Sequence, residues 1–143
     1  EGNGKLVVMP PPSVTFASWA TDLGLSGNPD ADFDHDGIQD ALEFVLGTDP
    51  KLSDSSGITT QDDGDDFIFS FNRDDRSKTT DLTLFVEAGE NLQSWPQIFE
   101  IKDTTLGVVI LENGDDADTV TVTIPKNGAA KLFARIKVIV SGF

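Results

Sequence analysis

Residues 32–43, Asp-Phe-Asp-His-Asp-Gly-Ile-Gln-Asp-Ala-Leu-Glu, carry oxygen donors at a spacing that suits a hard divalent cation. Calcium takes six to eight oxygens, and carboxylates at the first, third and fifth positions of a curled loop converge on one point. Asp32, Asp34 and Asp36 hold those positions. Gly37 follows, where the curl demands a backbone angle that a side chain penalises. The Ile38 carbonyl is expected to supply the next oxygen. Asp40 contributes directly or through a water, and Glu43 can bind with both carboxylate oxygens. Four or five packed carboxylates with no cation would repel one another, so the spacing predicts a bound ion rather than a solvated acidic turn. Calcium fits better than magnesium, which prefers strict octahedra and keeps several waters.

Other chemistry is poorly supplied. There is no cysteine, which excludes disulfides, thiolate metal sites and cysteine nucleophiles. His35 is the single histidine and sits at a variable position of the acidic loop, so a Ser-His or Cys-His triad has no base. Carboxylate pairs for glycoside hydrolysis could be drawn almost anywhere among 25 Asp and Glu, so none is informative. The sequence therefore predicts a non-enzyme. Residues 62–66 and 113–118 are also rich in acids but lack the full ligand spacing. The first reads as solvated linker and the second as a hairpin turn. Trp19 and Trp95 could stack on sugars, but both are expected to be core residues.

The elements that position the loop follow from the apolar pattern. Phe16, Trp19, Ala20 and Leu23 share one face of a helix capped by Ser13 or Thr15 and stopped near Gly24. A second helix is predicted from about Gln39 to Leu46, with Gly47 as its stop and Phe44 at the margin of its apolar face. Residues 51–66 read as an acidic linker. Beyond them the period changes to two: Phe67, Phe69, Phe71; Leu82, Leu84, Val86; Val120, Val122, Ile124; Leu132 through Val140. Residues 97–101 and 106–111 add two more candidates, with turn signals between. The expected fold class is mainly β: an antiparallel, Ig-like β-sandwich preceded by a short two-helix calcium-loop segment. The expected divisions are 1–12, a strand and Pro-rich arm; 13–50, helix–calcium loop–helix; 51–66, linker; and 67–143, the sandwich.

The arm reads Lys5-Leu6-Val7-Val8-Met9, then Pro10-Pro11-Pro12. Three prolines form a stiff spacer that cannot join a helix or a sheet centre. The apolar run either pairs with its own sandwich or adds as a strand to a neighbouring subunit. With 25 acids against 10 Lys and Arg, the net charge of −15 disfavours nucleic acid and anionic lipid as partners. No apolar stretch approaches the length of a membrane span, so no membrane insertion is expected. No initiator Met opens the sequence, which reads as a processed form or an excised fragment.

Residues 32–50, DFDHDGIQDALEFVLGTDP, resemble the bacterial version of the thrombospondin type 3 calcium repeat, DxDxDGxxDxxE followed by a short apolar helix and GTDP. A standard EF-hand differs: it has an apolar residue where this chain has Gln39, and a helix leading into the loop. The resemblance implies Asp32, Asp34, Asp36, Ile38, Asp40 and Glu43 as ligands, with Asp30 and Asp49 as extras. More loosely, the helix FASWATDLGLSGNPDAD, the strand LTLFVEAGENLQSW and the final KLFARIKVIV are similar to a C-terminal region of bacterial secreted proteins. That likeness implies an extracellular or cell-surface location. The expectation is a non-catalytic, Ca2+-stabilised structural or adhesion module, with self-assembly into a surface filament as one form of it. The alternative is an accessory carbohydrate-binding domain of a larger secreted enzyme, marked by an exposed coplanar pair of aromatics.

Overall fold

The computed structural model describes residues 15–53, 56–114 and 116–141. The arm, with its strand-like run and proline spacer, and the alternative cap Ser13 lie outside the described residues. Thr15 is the N-cap of helix α1 (Phe16–Leu23): its Oγ1 accepts from the Ser18 N–H while the Ser18 side chain answers the Thr15 N–H. This reciprocal box satisfies two donors that a helix start leaves orphaned. Gly24, at φ 74°, ends the helix in the left-handed conformation that glycine adopts without strain. Helix α2 (Asp40–Leu46) ends the same way at Gly47.

Seven strands are seen among the described residues: β1 (Thr59–Asp63), β2 (Asp66–Arg73), β3 (Leu82–Gly89), β4 (Gln97–Glu100), β5 (Val108–Asn113), β6 (Asp116–Pro125) and β7 (Phe133–Val140). They form two antiparallel sheets, β1-β2-β6-β5 and β4-β3-β7. In Ig nomenclature this is A-B-E-D against C′-C-F, with the chain crossing between sheets after β2, β4 and β6. The sandwich is thus Ig-like, and the place beside β7, where strand G lies in an Ig domain, has no strand among the described residues. Phe69, Phe71, Val120, Val122 and Ile124 from one sheet meet Leu84, Val86 and Val140 from the other in the core.

Three expectations are corrected. Residues 51–66 are not all linker, because β1 pairs with β2 there. All five β1 residues are exposed, so no apolar alternation marks it; the tight turn through Gly64 and the β2 ladder hold it. Phe44 is central rather than marginal: it is fully buried, its ring 4.9 Å from that of Trp19 and 5.9 Å from that of Phe16. Trp95 is not a core residue. It is half-buried, with the Arg135 guanidinium 4.1 Å from its ring centroid. Trp19 is buried as expected.

The helical segment and the sandwich share one apolar cluster, in which Phe16, Trp19, Phe44 and Val45 join the strand residues. The Asp74 N–H, just after β2, donates to the Val45 carbonyl at 2.7 Å and pins α2 to the sandwich. Among the described residues no helix is long and apolar enough to cross a membrane.

Candidate metal centre

The acidic loop is held by its own main chain. The Asp36 N–H donates to Asp32 Oδ1 (3.3 Å) and Asp34 Oδ1 (3.2 Å), Gly37 N–H to Asp32 Oδ2 (2.9 Å) and Ile38 N–H to Asp36 Oδ1 (2.9 Å). Gly37 takes φ 91°, which for other residues costs about 1–2 kcal/mol. His35 also adopts a positive φ, 59°, with its side chain exposed between the acids. The loop closes on α2 through three bonds: Asp40 N–H to the Ala31 carbonyl (2.7 Å), Ala41 N–H to the Pro29 carbonyl (3.2 Å), and Phe33 N–H to Asp40 Oδ1 (3.1 Å).

This curl brings one oxygen each of Asp32, Asp34 and Asp36 within 4.8 Å of one another. Asp40 and Glu43 stand outside that mutual grouping but belong to the same electrostatic site. Asp40 is 1% exposed and Glu43 is 0% exposed, although both are carboxylates in the first turn of a helix. Burial raises the Asp40 pKa, the Phe33 N–H partly offsets it, and the charges of Asp32 and Asp36 raise it further. Burial pushes Glu43 up to about 8, with Asp34, Asp36, Asp40 and Asp32 adding to the shift. Asp34 is also raised, by burial first, against the Asp36 N–H that lowers it.

Among the described residues six buried side-chain oxygens have no hydrogen-bond partner, and three of them are here; the others are Thr48 Oγ1, Asp75 Oδ1 and Asp118 Oδ1. Both Glu43 oxygens and Asp34 Oδ2 are buried with no hydrogen-bond donor. A buried polar atom left unsatisfied costs about 1–3 kcal/mol, and more when charged. Three orphaned carboxylate oxygens around an acidic trio fit a hard divalent cation, which asks for oxygen donors and nothing else. Asp30 and Asp49, the extra ligands implied by resemblance, are exposed and outside the trio.

The other acidic runs are accounted for. Residues 62–66 form the β1–β2 hairpin, with Asp62 held at 2.9 Å by Lys126; residues 113–118 include the β5–β6 hairpin turn. A second cluster escaped the sequence reading. Lys78 Nζ meets Asp118 Oδ2 (2.8 Å), Glu112 Oε1 (3.2 Å) and Asp75 Oδ1 (3.2 Å), so three acids there already share a cation. Burial would raise the Asp118 pKa, but its bond to Lys78 brings the value below the ordinary carboxylate range. Lys78 and Asp118 are forty residues apart, and only the sheet brings them together.

No protein-family model, no curated protein and no solved structure matches this chain.

Proposed function

We propose that this protein is a non-catalytic extracellular module that calcium stabilises by binding residues 32–43. The observation that carries the reading is Glu43: a fully buried side chain with two unpartnered oxygens beside a converged Asp trio. Asp32, Asp34, Asp36 and Glu43 would hold the ion, with Asp40 and the Ile38 carbonyl completing the set. The ion supplies the positive charge that lets Glu43 ionise in place. The chain's own residues do the rest: loop N–H groups orient the carboxylates, and α2 carries Glu43 on a helix packed into the core.

An ion that binds only the folded state at 100 times its dissociation constant adds about 2.7 kcal/mol. That is a sizeable share of a domain's stability. Loops of this donor type in extracellular modules work at roughly 0.1–1 mM calcium, and a chain without cysteine gains no stability from disulfides. The resemblance to thrombospondin type 3-like repeats and to secreted bacterial C-terminal regions supports the same location. The carbohydrate reading is less well supported, since Trp19 is buried against Phe44 and Trp95 lies beneath Arg135.

The test is isothermal titration of demetallated protein with calcium chloride, with magnesium chloride as control. One site per chain in the submillimolar range, with weaker magnesium binding, is the expected result. Absence of binding heat up to several millimolar calcium, together with an unchanged melting temperature, overturns the proposal.

A further inference from the structure

Among the described residues the sandwich has four edge strands, and three are blunted against strand addition. β1 is short and its exposed tip is acidic, β4 has four residues, and β5 carries a register shift between Leu111 and Asn113. Such features discourage edge-to-edge pairing. β7 is longer. It has eight residues, contains neither proline nor a register shift, and exposes Ile139; its charged residues, Arg135 and Lys137, are exposed on its outer face.

The register shows which groups the β7 edge offers. The Ser141 N–H donates to the Asp81 carbonyl, so those two residues face each other as a bonded pair in the β3–β7 ladder. Antiparallel ladders alternate, so Phe133, Arg135, Lys137 and Ile139 bond toward β3, while Ala134, Ile136, Val138 and Val140 direct their N–H and C=O groups outward. No strand among the described residues pairs with that side. The side chains of Ala134, Ile136 and Val138 point toward the core yet are only half-buried, as expected where a neighbouring strand is missing. Two clefts, of about 190 and 270 Å³, run between this edge and Pro29, Asp30, Gln39 and Leu42.

We infer that the β7 edge accepts residues 5–9 of a second copy of this chain as an added strand in the position of Ig strand G. Leu6, Val7, Val8 and Met9 are apolar on both faces of an extended strand. One face covers Ile136 and Val138, and the other meets Ile139. The prolines at 10–12 span about 9 Å in extended form and lack the N–H groups to continue a ladder. The donor comes from another copy because of where α2 lies. Phe44 on one side of α2 packs on α1, while Leu42, 200° around the helix, lines the cleft at β7. Phe16, next to Thr15, thus packs on the side of α2 away from Leu42, and an arm of the same chain must cross α2 to reach this edge. A donor and an acceptor on opposite parts of one subunit make a head-to-tail contact, which propagates as an open chain unless its rotation closes a ring. This inference rests on sheet topology and does not depend on the metal.

The test uses the full chain, which has no native cysteine. Val7 and Val8 are each replaced by cysteine in one preparation and Ile139 by cysteine in a second, differently tagged preparation. Mild oxidation of the mixture is expected to give disulfide-linked heterodimers from at least one pair. The corresponding double variants are expected to give ladders of dimer, trimer and higher species. Sedimentation velocity of the unmodified protein should show mass rising with concentration, and Leu6→Asp with Val8→Asp should return it to monomer with an unchanged melting temperature. Cross-linking of the double variants within single chains would overturn the inference in favour of the protein's own arm. A monomer at every concentration with no cross-link would overturn it outright. Calcium titration of the Leu6→Asp/Val8→Asp protein reads the metal site separately, so either idea can fail alone.

Discussion

Replacement of Glu43 by Gln separates a calcium ligand from an ordinary buried acid, because it acts in opposite ways on the apo protein and on the calcium response. Without an ion, the folded protein holds Glu43 at a pKa of about 8, against 4.5 for the free side chain. Folding at pH 7 then requires proton uptake across roughly 2.5 pH units, a cost of about 3 kcal/mol. A group with a raised folded pKa contributes its stability below its unfolded value and loses it as pH rises toward the folded value. Apo wild-type protein should therefore weaken steadily between pH 4.5 and 8. Gln keeps the shape and carries no charge, and its orphaned amide costs about as much as the orphaned protonated acid.

In chelator at pH 7 the Gln variant should therefore be the more stable protein, by about 3 kcal/mol, or roughly 10 °C in melting temperature for a chain of this size. At pH 5 the gap should shrink to under about 1 kcal/mol. Calcium at 5 mM should then raise the wild type by about 1–2 kcal/mol and the variant little, so that the gap narrows. The assay is thermal unfolding by circular dichroism at pH 5, 6, 7 and 8, in EDTA and in 5 mM calcium (about five times the weakest dissociation constant of such sites). A variant less stable than wild type in EDTA at pH 7, or equally responsive to calcium, would refute the account of Glu43 as a strained ligand awaiting a cation.

The remaining tests address other parts of the structure. Gly37→Ala meets open space, since nothing lies within 4 Å of the added Cβ. Its cost should come from φ 91° alone, about 1–2 kcal/mol, read as a lower melting temperature and weaker calcium binding in titration calorimetry. Lys78→Met removes the cation bonded to Asp118, 1% exposed, and leaves it only the charge of its ladder partner Arg73. The expected loss at pH 7 is about 2 kcal/mol, below the range for fully buried pairs because Lys78 still reaches solvent. Asp118 has a lowered pKa, so the pair's contribution stands above the ordinary carboxylate value and fades as pH falls through the lowered one. The variant's deficit in denaturant melts should accordingly narrow below about pH 4. Hydrogen exchange at the Asp74 amide, which holds the Val45 carbonyl, should speed up in chelator more than exchange in β3 or β6.

How much was legible in the sequence depended on whether each signal was contiguous. The strands with buried alternation, β2, β3, β6 and β7, were readable because one face of each meets the core and period two records it. β1 was not, since Thr59-Thr60-Gln61-Asp62-Asp63 buries nothing and is held by pairing alone. Phe44 was misplaced because α2 is buried on two sides, toward α1 and toward the sandwich, and a single apolar stripe is the wrong template for such a helix. The acidic loop was legible because its carboxylates lie within twelve residues and its curl is local. The Lys78 cluster was not, because Lys78 and its neighbour Asp75 meet Asp118 and Glu112 only after β6 has paired with β2 and β5.

Helix α2 shows why an ion bound at the surface would be felt in the core. Seven residues are too few for a helix to hold itself in water, and the N-cap Gln39 makes no side-chain hydrogen bond to it. Packing therefore carries it, through Ala41, Phe44, Val45 and Leu46. The same turn bears Asp40 and Glu43, whose burial is unfavourable while they face Asp32, Asp34 and Asp36 without a cation. Apolar burial pulls α2 inward and the acidic cluster strains its first turn. A divalent ion turns the second effect into attraction while leaving the first intact. On the proposed reading, calcium would act on the helix that packs against α1, β2 and β7, and its removal would loosen that junction before the sheets.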